Sequence, residues 1–236
     1  MQINYLLGYE NLKICQNDTM FKFSLDSVLL PNFVTLSSKK VKILDIGCGN
    51  AVIPLVLTTR TANKIDAVEI QKDVYELGKK SIEINNLKNQ ISIYNEDIKN
   101  YSDKLESDQY DTITCNPPFF KSMKENESNY KAIARHEKSL DLDSLMKISK
   151  KLLKNNGNIA IVHRTERLID IIFSMKKNNI EPKKIQFVYP KKDKESNILL
   201  IEGTKNGNPG IKMLEPLYIY DENNQYTEQL LKYLKH

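Results

Sequence analysis

The sequence lacks the apolar segments and cysteine patterns that mark several classes of protein. No apolar run approaches the ~20 residues needed to cross a bilayer. The opening residues MQINYLLGYENLK do not combine a basic region with an apolar one. We therefore expect a soluble, cytoplasmic protein. The three cysteines are far apart and form no CxxC pair, so they favour neither a disulfide framework nor a zinc site; they are Cys15, Cys48 and Cys115.

Internal repeats and flexible linkers are also missing from the 236 residues. Hydrophobic residues make up 40% and charged residues 28%, which is typical of a globular chain. We expect one domain over 1–236, with an N-terminal cap at 1–38, a core at 39–204 and a strand and helix extension at 205–236. The net charge of +5 favours a polyanionic partner only mildly. The histidines lack metal-ligand spacing, and we expect no metal.

What is present is an alternation of short β-type runs with amphipathic helical segments. Asp141 is placed to begin one helix as its N-cap, and Gly157 is placed to end it. The alternation predicts an α/β fold with a doubly wound, mainly parallel sheet of seven strands, and its ligand crevice lies beyond the carboxyl ends of those strands. The predicted strands are Val41–Ile46, Ile65–Ile70, Ile91–Tyr94, Tyr110–Cys115, Asn158–His163, Ile185–Tyr189 and Ile198–Glu202.

The first predicted strand runs into a glycine turn and a helix, in the sequence KILDIGCGNAVIPLVL. Gly47 and Gly49 let the backbone turn tightly and approach a ligand, and Asn50 completes the turn. A dinucleotide site favours a third glycine where this chain has Val52, which argues against a nicotinamide dinucleotide. Asp45 would repel a pyrophosphate but attracts the cationic amino-acid end of S-adenosylmethionine. The sign of this charge therefore predicts S-adenosylmethionine as the cofactor.

Acidic residues also follow the second and third predicted strands. Glu69 comes about 20 residues after the glycine turn, where a carboxylate can accept hydrogen bonds from both ribose hydroxyls. Asp97 can accept a hydrogen bond from the adenine amino group, and Ile98 can pack on the adenine ring. Each acid alone is more typical of a solvated loop or a helix cap. Together with the glycine turn, the acids that end the three strands predict a single nucleoside site.

The fourth predicted strand ends in a tetrapeptide, Asn116, Pro117, Pro118 and Phe119. An adenine amino group is a poor nucleophile because its lone pair is delocalised into the ring. The Asn116 side-chain oxygen and the Pro117 carbonyl can accept both amino hydrogens and draw the nitrogen towards a tetrahedral geometry, while the paired prolines keep the backbone extended. Phe119 offers a face for a flipped base, a stack worth ~1–3 kcal/mol. A simple Asn-Pro turn explains the residues but not their place after this strand.

The order of these motifs resembles the class I, Rossmann-like methyltransferases that use Asn-Pro-Pro-[Phe/Tyr] on planar amino groups, and within them the tRNA1(Val) adenine-N6 methyltransferase family. The resemblance covers nearly the whole chain and includes FKFSLDSVLLPNF, ARHEKSLDL and IAIVHRTERLIDII. It implies that Phe21, Phe23 and Asp26 border the cofactor. It also implies that the target is the adenosine 3′ of the anticodon of tRNA1(Val). The first of these segments is equally typical of an amphipathic helix that covers the sheet.

Two basic segments are candidates for contact with the tRNA. One is the long connection after the tetrapeptide, since long connections in compact domains are often functional. The other brackets the sixth predicted strand, where lysines can contact phosphates away from the reacting base. A solvated surface explains either segment as simply. The residues that we select from them are Lys121, Lys124, Lys131, Arg135, Lys191 and Lys192.

Other functions remain open from the residues alone. The tetrapeptide alone does not exclude DNA adenine-N6 or ribosomal RNA guanine-N2 methylation. Glutamine-N5 methylation of a release factor poses the same electronic problem, but that group more often has tyrosine after the prolines and carries an N-terminal helical domain. A non-catalytic RNA-binding module on the same scaffold would be expected to lose the cofactor acids or Asn116, and this chain keeps both.

Overall fold

The computed structural model describes residues 2–17, 24–37, 39, 41–117 and 140–234. Within those ranges, no helix has the length and apolar character that a membrane span requires. Phe21, Phe23, Pro118 and Phe119 lie outside the described residues. The same holds for the four basic residues that were selected from the connection after the tetrapeptide, namely Lys121, Lys124, Lys131 and Arg135.

Most strands belong to one large mixed sheet. An N-terminal hairpin stands apart from it and pairs β1 (Gln2–Leu6) with β2 (Tyr9–Gln16) in antiparallel register. The strands of the large sheet are β3 (Ile43–Ile46), β4 (Ile65–Glu69), β5 (Ile91–Asn95), β6 (Tyr110–Cys115), β7 (Leu153–Arg164), β8 (Ile180–Tyr189), β9 (Ile198–Lys205), β10 (Lys212–Met213) and β11 (Leu217–Tyr218). Their order is β10-β8-β9-β7-β6-β3-β4-β5, with β11 also pairing with β8.

The seven predicted strands are all present, and the doubly wound, mainly parallel sheet is confirmed. Among the strands that the structure describes in this sheet, only β9 runs against its neighbours, β7 and β8. Two strands of two residues each, β10 and β11, extend the edge beyond the predicted seven, because segments this short show no periodicity in the sequence.

Helices connect the strands and cover both faces of the sheet. They are α1 (Asp26–Phe33), α2 (Val52–Leu57), α3 (Lys72–Ile84), α4 (Ile98–Asp103), α5 (Leu142–Leu152), α6 (Leu168–Lys177) and α7 (Glu228–Leu234), with a short 3-10 turn at Thr165–Arg167. Buried side chains of the hairpin, α1, α2, α3 and α7 join one apolar core, and those of α4, α5 and α6 join the other. Alternate residues of each strand supply the two cores.

The carboxyl end of α5 and the start of β7 differ from the sequence prediction. Asp141 begins α5 as predicted, since its carboxylate accepts from the Ser144 backbone N–H at 2.8 Å. The prediction that Gly157 ends this helix is wrong. The helix ends at Leu152 and the chain passes directly into β7, where Asn156 takes the left-handed backbone conformation with φ 62°. Gly157 lies inside the strand, where an added Cβ would approach the Asp111 carbonyl oxygen to 3.0 Å.

The opening segment covers the sheet, as one interpretation of it predicted. α1 buries an apolar side made of Val28, Leu29, Leu30 and Phe33. Polar contacts hold its carboxyl end, because the Lys184 Nζ donates to the Phe33 carbonyl oxygen at 2.7 Å and Arg60 Nη1 donates to the Val34 carbonyl oxygen at 3.0 Å. The helix is therefore fixed relative to the sheet at the end away from Asp26.

Candidate active site

The chain reverses its direction of winding between β3 and β6. The strands that follow β3 extend the sheet to one side through β4 and β5, and β6 and β7 extend it to the other. β3 and β6 are parallel neighbours, with Ile46 opposite Cys115. Gly47 and Asn116 therefore leave the sheet side by side at its carboxyl edge. A crevice at such a reversal is where open α/β sheets bind their ligands.

The glycine turn adopts a backbone conformation that few residues tolerate. Gly47 and Gly49 have φ values of 68° and 59°, and Ala51 has 73° in the same left-handed region. The Gly47 backbone N–H donates to the Val68 carbonyl oxygen at 2.9 Å, which ties the turn to β4. A Cβ added at either glycine would meet no atom within 4 Å. The turn thus combines left-handed backbone conformations with open space next to Gly47 and Gly49. Its far side is held by Asn50, whose Nδ2 donates to the Cys15 carbonyl oxygen at 3.2 Å.

Asp45 is a buried carboxylate with one oxygen satisfied. Its side chain has no exposed area, and Oδ1 accepts from the Thr114 hydroxyl at 2.6 Å. Oδ2 has no hydrogen-bond partner among the described residues. Burial raises the pKa of Asp45 to about 8, and the nearby Glu69 carboxylate adds to that shift. A cationic group at Oδ2 would offset both the burial of the carboxylate and its repulsion by Glu69, so the site suits an ammonium.

Glu69 shapes the site by accepting two backbone hydrogen bonds. Its Oε2 accepts from the Gly49 N–H at 3.0 Å and its Oε1 from the Gln71 N–H at 2.8 Å. It lies at the end of β4 with only 5% of its area exposed. The carboxylate thereby links the glycine turn to the neighbouring strand end. It is brought beside Asp45, as the sequence predicted from their positions at adjacent strand ends.

Asp97 has a structural role at the end of the next strand. Its Oδ1 accepts from the Lys99 backbone N–H at 2.9 Å and so caps the first turn of α4. Ile98 is buried in the core beneath that helix, with 6% of its area exposed. The helix-cap interpretation that the sequence allowed for Asp97 is thus observed. The cap leaves the carboxylate at the same carboxyl edge as Glu69.

The described part of the tetrapeptide begins directly after β6. Asn116 and Pro117 are both half-buried. The Asn116 Nδ2 donates to the Ser27 hydroxyl oxygen of α1 at 2.8 Å, so that the amide is oriented by a residue 89 positions earlier in the chain. Asp26, the first residue of α1, is buried beside this contact and accepts from the Ser24 hydroxyl at 3.1 Å. Burial raises the pKa of Asp26.

Two residues of this region were not identified from the sequence. One is Ser27, whose contact with Asn116 depends entirely on the tertiary structure. The other is Gly78 in α3, where an added Cβ would approach the Gly49 carbonyl oxygen to 2.9 Å and the Ile93 side chain to 2.8 Å. A glycine inside a helical pattern was the available signal, because such a glycine often marks a close approach of backbone.

Of the six basic residues selected as candidates for contact with the tRNA, the two that the structure describes lie further along the carboxyl edge of the sheet. Lys191 and Lys192 follow the carboxyl end of β8, beside an open depression of about 570 Å³ that Lys192, Tyr189 and Thr165 help to line. Arg167 pairs with Asp170 at 2.7 Å. The described lysines are therefore separated from Asn116 by the ends of β7 and β9.

Comparisons with known proteins identify the class to which this fold and site belong. The family model described as methyltransferase small domain matches residues 24–180, a span that holds the glycine turn, both buried acids and the tetrapeptide. Among solved structures, a predicted O-methyltransferase from Agrobacterium tumefaciens has a TM-score of 0.71 at 14% identity, covering 89% of this chain and 95% of that one. A geranyl diphosphate C-methyltransferase from Streptomyces coelicolor, in complex with S-adenosyl-L-homocysteine, has a TM-score of 0.58 at 11% identity and covers 77% and 80%. The fold is that of a methyltransferase.

Curated relatives narrow this class. The tRNA1(Val) (adenine(37)-N6)-methyltransferase of Aliivibrio salmonicida is 31% identical over 180 residues, which are 76% of this chain and 75% of that protein. The protein of the same name from Cytophaga hutchinsonii is 24% identical over 98% and 97%. The chain belongs to the tRNA1(Val) (adenine(37)-N6)-methyltransferase family.

Proposed function

We propose that this protein uses S-adenosylmethionine to methylate the exocyclic N6 amino group of an adenine in tRNA. The observation that carries the proposal is the oriented amide of Asn116 beside the glycine turn, at the reversal point of the sheet. The names of the curated relatives support tRNA as the substrate. We accordingly propose the adenosine 3′ of the anticodon of tRNA1(Val) as the target, and the cytoplasm as the compartment.

The donor set at the carboxyl edge fits the proposed cofactor. Asp45 Oδ2 is buried without a partner among the described residues and suits the cofactor ammonium. The open space in front of Gly47 and Gly49 admits the backbone of the amino-acid end of the cofactor. Glu69 and Asp97 would accept from the ribose hydroxyls and the adenine amino group. The full set proposed to bind the cofactor is Asp45, Gly47, Gly49, Asn50, Glu69, Asp97, Ile98 and Asn116, with Phe21, Phe23 and Asp26 along its border.

The proposed mechanism depends on how the chain presents the target amino group. When bound, S-adenosylmethionine supplies an electrophilic methyl group. The Asn116 Oδ1 and the Pro117 carbonyl oxygen would accept the two hydrogens of the target nitrogen, which turns its lone pair out of the ring plane. Both acceptors are held by the end of β6, so little reorganisation is needed. Pro118 would keep the following backbone extended, and Phe119 would stack on the flipped base.

Contact with the rest of the tRNA is assigned to lysine and arginine side chains. Lys191 and Lys192 lie at the carboxyl edge of the sheet and would contact phosphates away from the target base. Lys121, Lys124, Lys131 and Arg135 follow the tetrapeptide in sequence and would act nearer to it. Binding through phosphates should weaken as salt concentration rises.

The first experiment is transfer of labelled methyl from S-adenosylmethionine to unmodified total tRNA, to ribosomal RNA and to a release factor, followed by nucleoside and amino-acid analysis. The proposal expects N6-methyladenosine in one tRNA. Label in ribosomal RNA alone, or in release-factor glutamine, would overturn the proposed substrate. Failure to label any of the three would overturn the proposed activity and favour a binding module.

The matched test of the mechanism is Asn116→Ala. We expect turnover to fall by at least about 100-fold and cofactor affinity to fall far less, because the lost acceptor acts mainly in the transition state. Asn63→Ala is a suitable control, since Asn63 makes its hydrogen bonds at the opposite edge of the sheet, where its Oδ1 accepts from the Val41 N–H at 3.2 Å. Normal turnover in Asn116→Ala would contradict the mechanism.

A further inference from the structure

The contact between Asn116 and α1 joins the proposed site to a part of the chain outside the sheet. Ser27 lies in the first turn of α1 and is half-buried. Its hydroxyl oxygen accepts the Asn116 amide hydrogen at 2.8 Å. An asparagine amide is planar, with its NH2 and its oxygen on opposite sides. The contact with Ser27 therefore turns the Asn116 Oδ1 away from α1.

We infer that Ser27 is a positioning residue that sets the orientation of the Asn116 amide for methyl transfer. This inference rests on the proposed function. An amide turned the other way would present its NH2 to the amino group of the target base, donor against donor. The rotation that separates the two orientations is a terminal torsion with only broad preferences, so the side chain alone does not choose between them. In the structure the Ser27 hydroxyl oxygen accepts from the amide NH2, which leaves Oδ1 as the amide atom free to face the target base.

Ser27 can serve as a fixed reference because its helix is anchored at the other end. The Tyr9 hydroxyl donates to Asn32 Oδ1 at 3.1 Å, and the Thr35 backbone N–H donates to Glu202 Oε2 at 2.6 Å. The apolar side of α1 is buried, with Val28 and Leu29 fully inaccessible. A hydroxyl on such a helix keeps its position when the substrate binds. That rigidity is what preorganisation of an acceptor requires.

The test compares two substitutions of the same shape. Ser27→Thr keeps the hydroxyl and Ser27→Val removes it, and both residues are β-branched with similar helix propensity. We expect the kcat of Ser27→Thr to stay within about 3-fold of wild type. Ser27→Val should lose about 10-fold in kcat, the effect of one misplaced hydrogen bond, with KM for tRNA and Kd for S-adenosylmethionine within about 2-fold.

Two further variants separate orientation of Asn116 from a general loosening of α1. Tyr9→Phe removes only one of the contacts that anchor the other end of the same helix; the Thr35 bond to Glu202 and the buried apolar side remain, so kcat should stay within about 2-fold of wild type. In an Asn116→Ala background, Ser27→Val should cause no additional loss, because both act through the same amide. Equal kcat values for Ser27→Val and Ser27→Thr, or an undiminished loss in the Asn116→Ala background, would overturn the inference. If wild-type protein methylates no tRNA, the proposed function fails first, and this inference fails with it.

Discussion

Two buried aspartates on neighbouring strands have opposite surroundings. Asp66, near the amino end of β4, accepts from the Tyr110 hydroxyl at 2.7 Å and pairs with Lys42 at 3.0 Å. Tyr101 extends this network through a contact of 3.0 Å between its hydroxyl and that of Tyr110. Asp45, on β3 and nearer its carboxyl end, has one hydroxyl partner and one oxygen without a partner among the described residues.

The surroundings of the two aspartates distinguish the amino edge of the sheet, which stabilises the fold, from the carboxyl edge, where the proposed site lies. At the amino edge, the Asp66 carboxylate has a cation and a hydroxyl beside it, and the Lys42 ammonium also lies over the Tyr110 ring, which favours the folded chain. At the carboxyl edge, ionisation of Asp45 is costly because of burial, and either a proton or a bound cation offsets that cost. The same residue type therefore stabilises the fold at one edge and lies at the proposed binding site at the other.

The largest expected effect comes from removing the charge at the carboxyl edge. Asp45→Asn should lower the affinity for S-adenosylmethionine by about 100-fold, since a buried ion pair is lost on binding. The cofactor-free variant should be no less stable than wild type at pH 8, because the lost carboxylate was buried without a cationic partner. Isothermal titration and urea denaturation measure the two quantities. Asp66→Asn is the control and should keep its cofactor affinity; if it lost as much affinity as Asp45→Asn, the contrast between the edges would be wrong.

An effect of intermediate size should appear in the pH dependence of cofactor binding. Because the pKa of Asp45 in the free protein is about 8, binding of an ammonium favours its carboxylate and releases a proton at lower pH. Affinity should thus rise by up to about 10-fold per unit between pH ~6 and ~8, and then fall at higher pH as the amino group of the cofactor itself deprotonates near pH ~8. Titrations in buffers of different ionisation enthalpy count the protons released. A pH-independent affinity in the wild type would contradict the assignment of Asp45.

The stability of the cofactor-free protein should show the opposite trend. Since the pKa of Asp45 is higher in the folded chain than in the unfolded one, the folded protein holds more protons between pH ~4 and ~8. The contribution of this residue to the free energy of unfolding therefore falls as pH rises through that range. Asp45→Asn should remove this contribution, which the difference between the two denaturation profiles isolates.

The smallest effect is expected at the amino edge. Tyr110→Phe removes the hydroxyl that donates to Asp66 and should lower the free energy of unfolding by about 1–2 kcal/mol. Methyl transfer at saturating substrate should stay within about 2-fold of wild type. Denaturation and a turnover assay on the same preparation check both. A loss of turnover without a loss of stability would place Tyr110 in the function of the carboxyl edge instead.

Much of the fold could be predicted from local patterns. Short apolar runs bounded by turn residues mark the seven predicted strands in the sequence. Their order along the chain, with helices between them, predicts a doubly wound sheet. Gly157 misled the prediction because the chain becomes extended at Leu153, directly after α5, so the helix ends without a left-handed residue. The N-terminal hairpin was missed, since β1 exposes most of its side chains and has little apolar signal. The division of the chain into cap, core and extension stays a prediction.

The site was predictable where it depends on strand ends and not where it depends on packing. Parallel strands bring their carboxyl ends to one edge, so the proximity of Asp45, Glu69 and Asn116 followed from their positions in the sequence. The contact between Ser27 and Asn116 joins residues 89 positions apart through the docking of a helix. No local pattern contains that information, and the same is true of the close approach of Gly78 to the glycine turn.

The position of β9 has a consequence for the order in which the chain can assemble. β8 joins the long strands of the sheet only through β9, which is inserted between β7 and β8 although it follows both in sequence. While the protein is being synthesised, β7 therefore presents an unpaired apolar edge until residues 198–205 emerge from the ribosome. Such an edge can pair with other chains. Sheet completion depends on one late strand, so slow translation beyond β8 should prolong the interval in which the nascent chain is prone to aggregate.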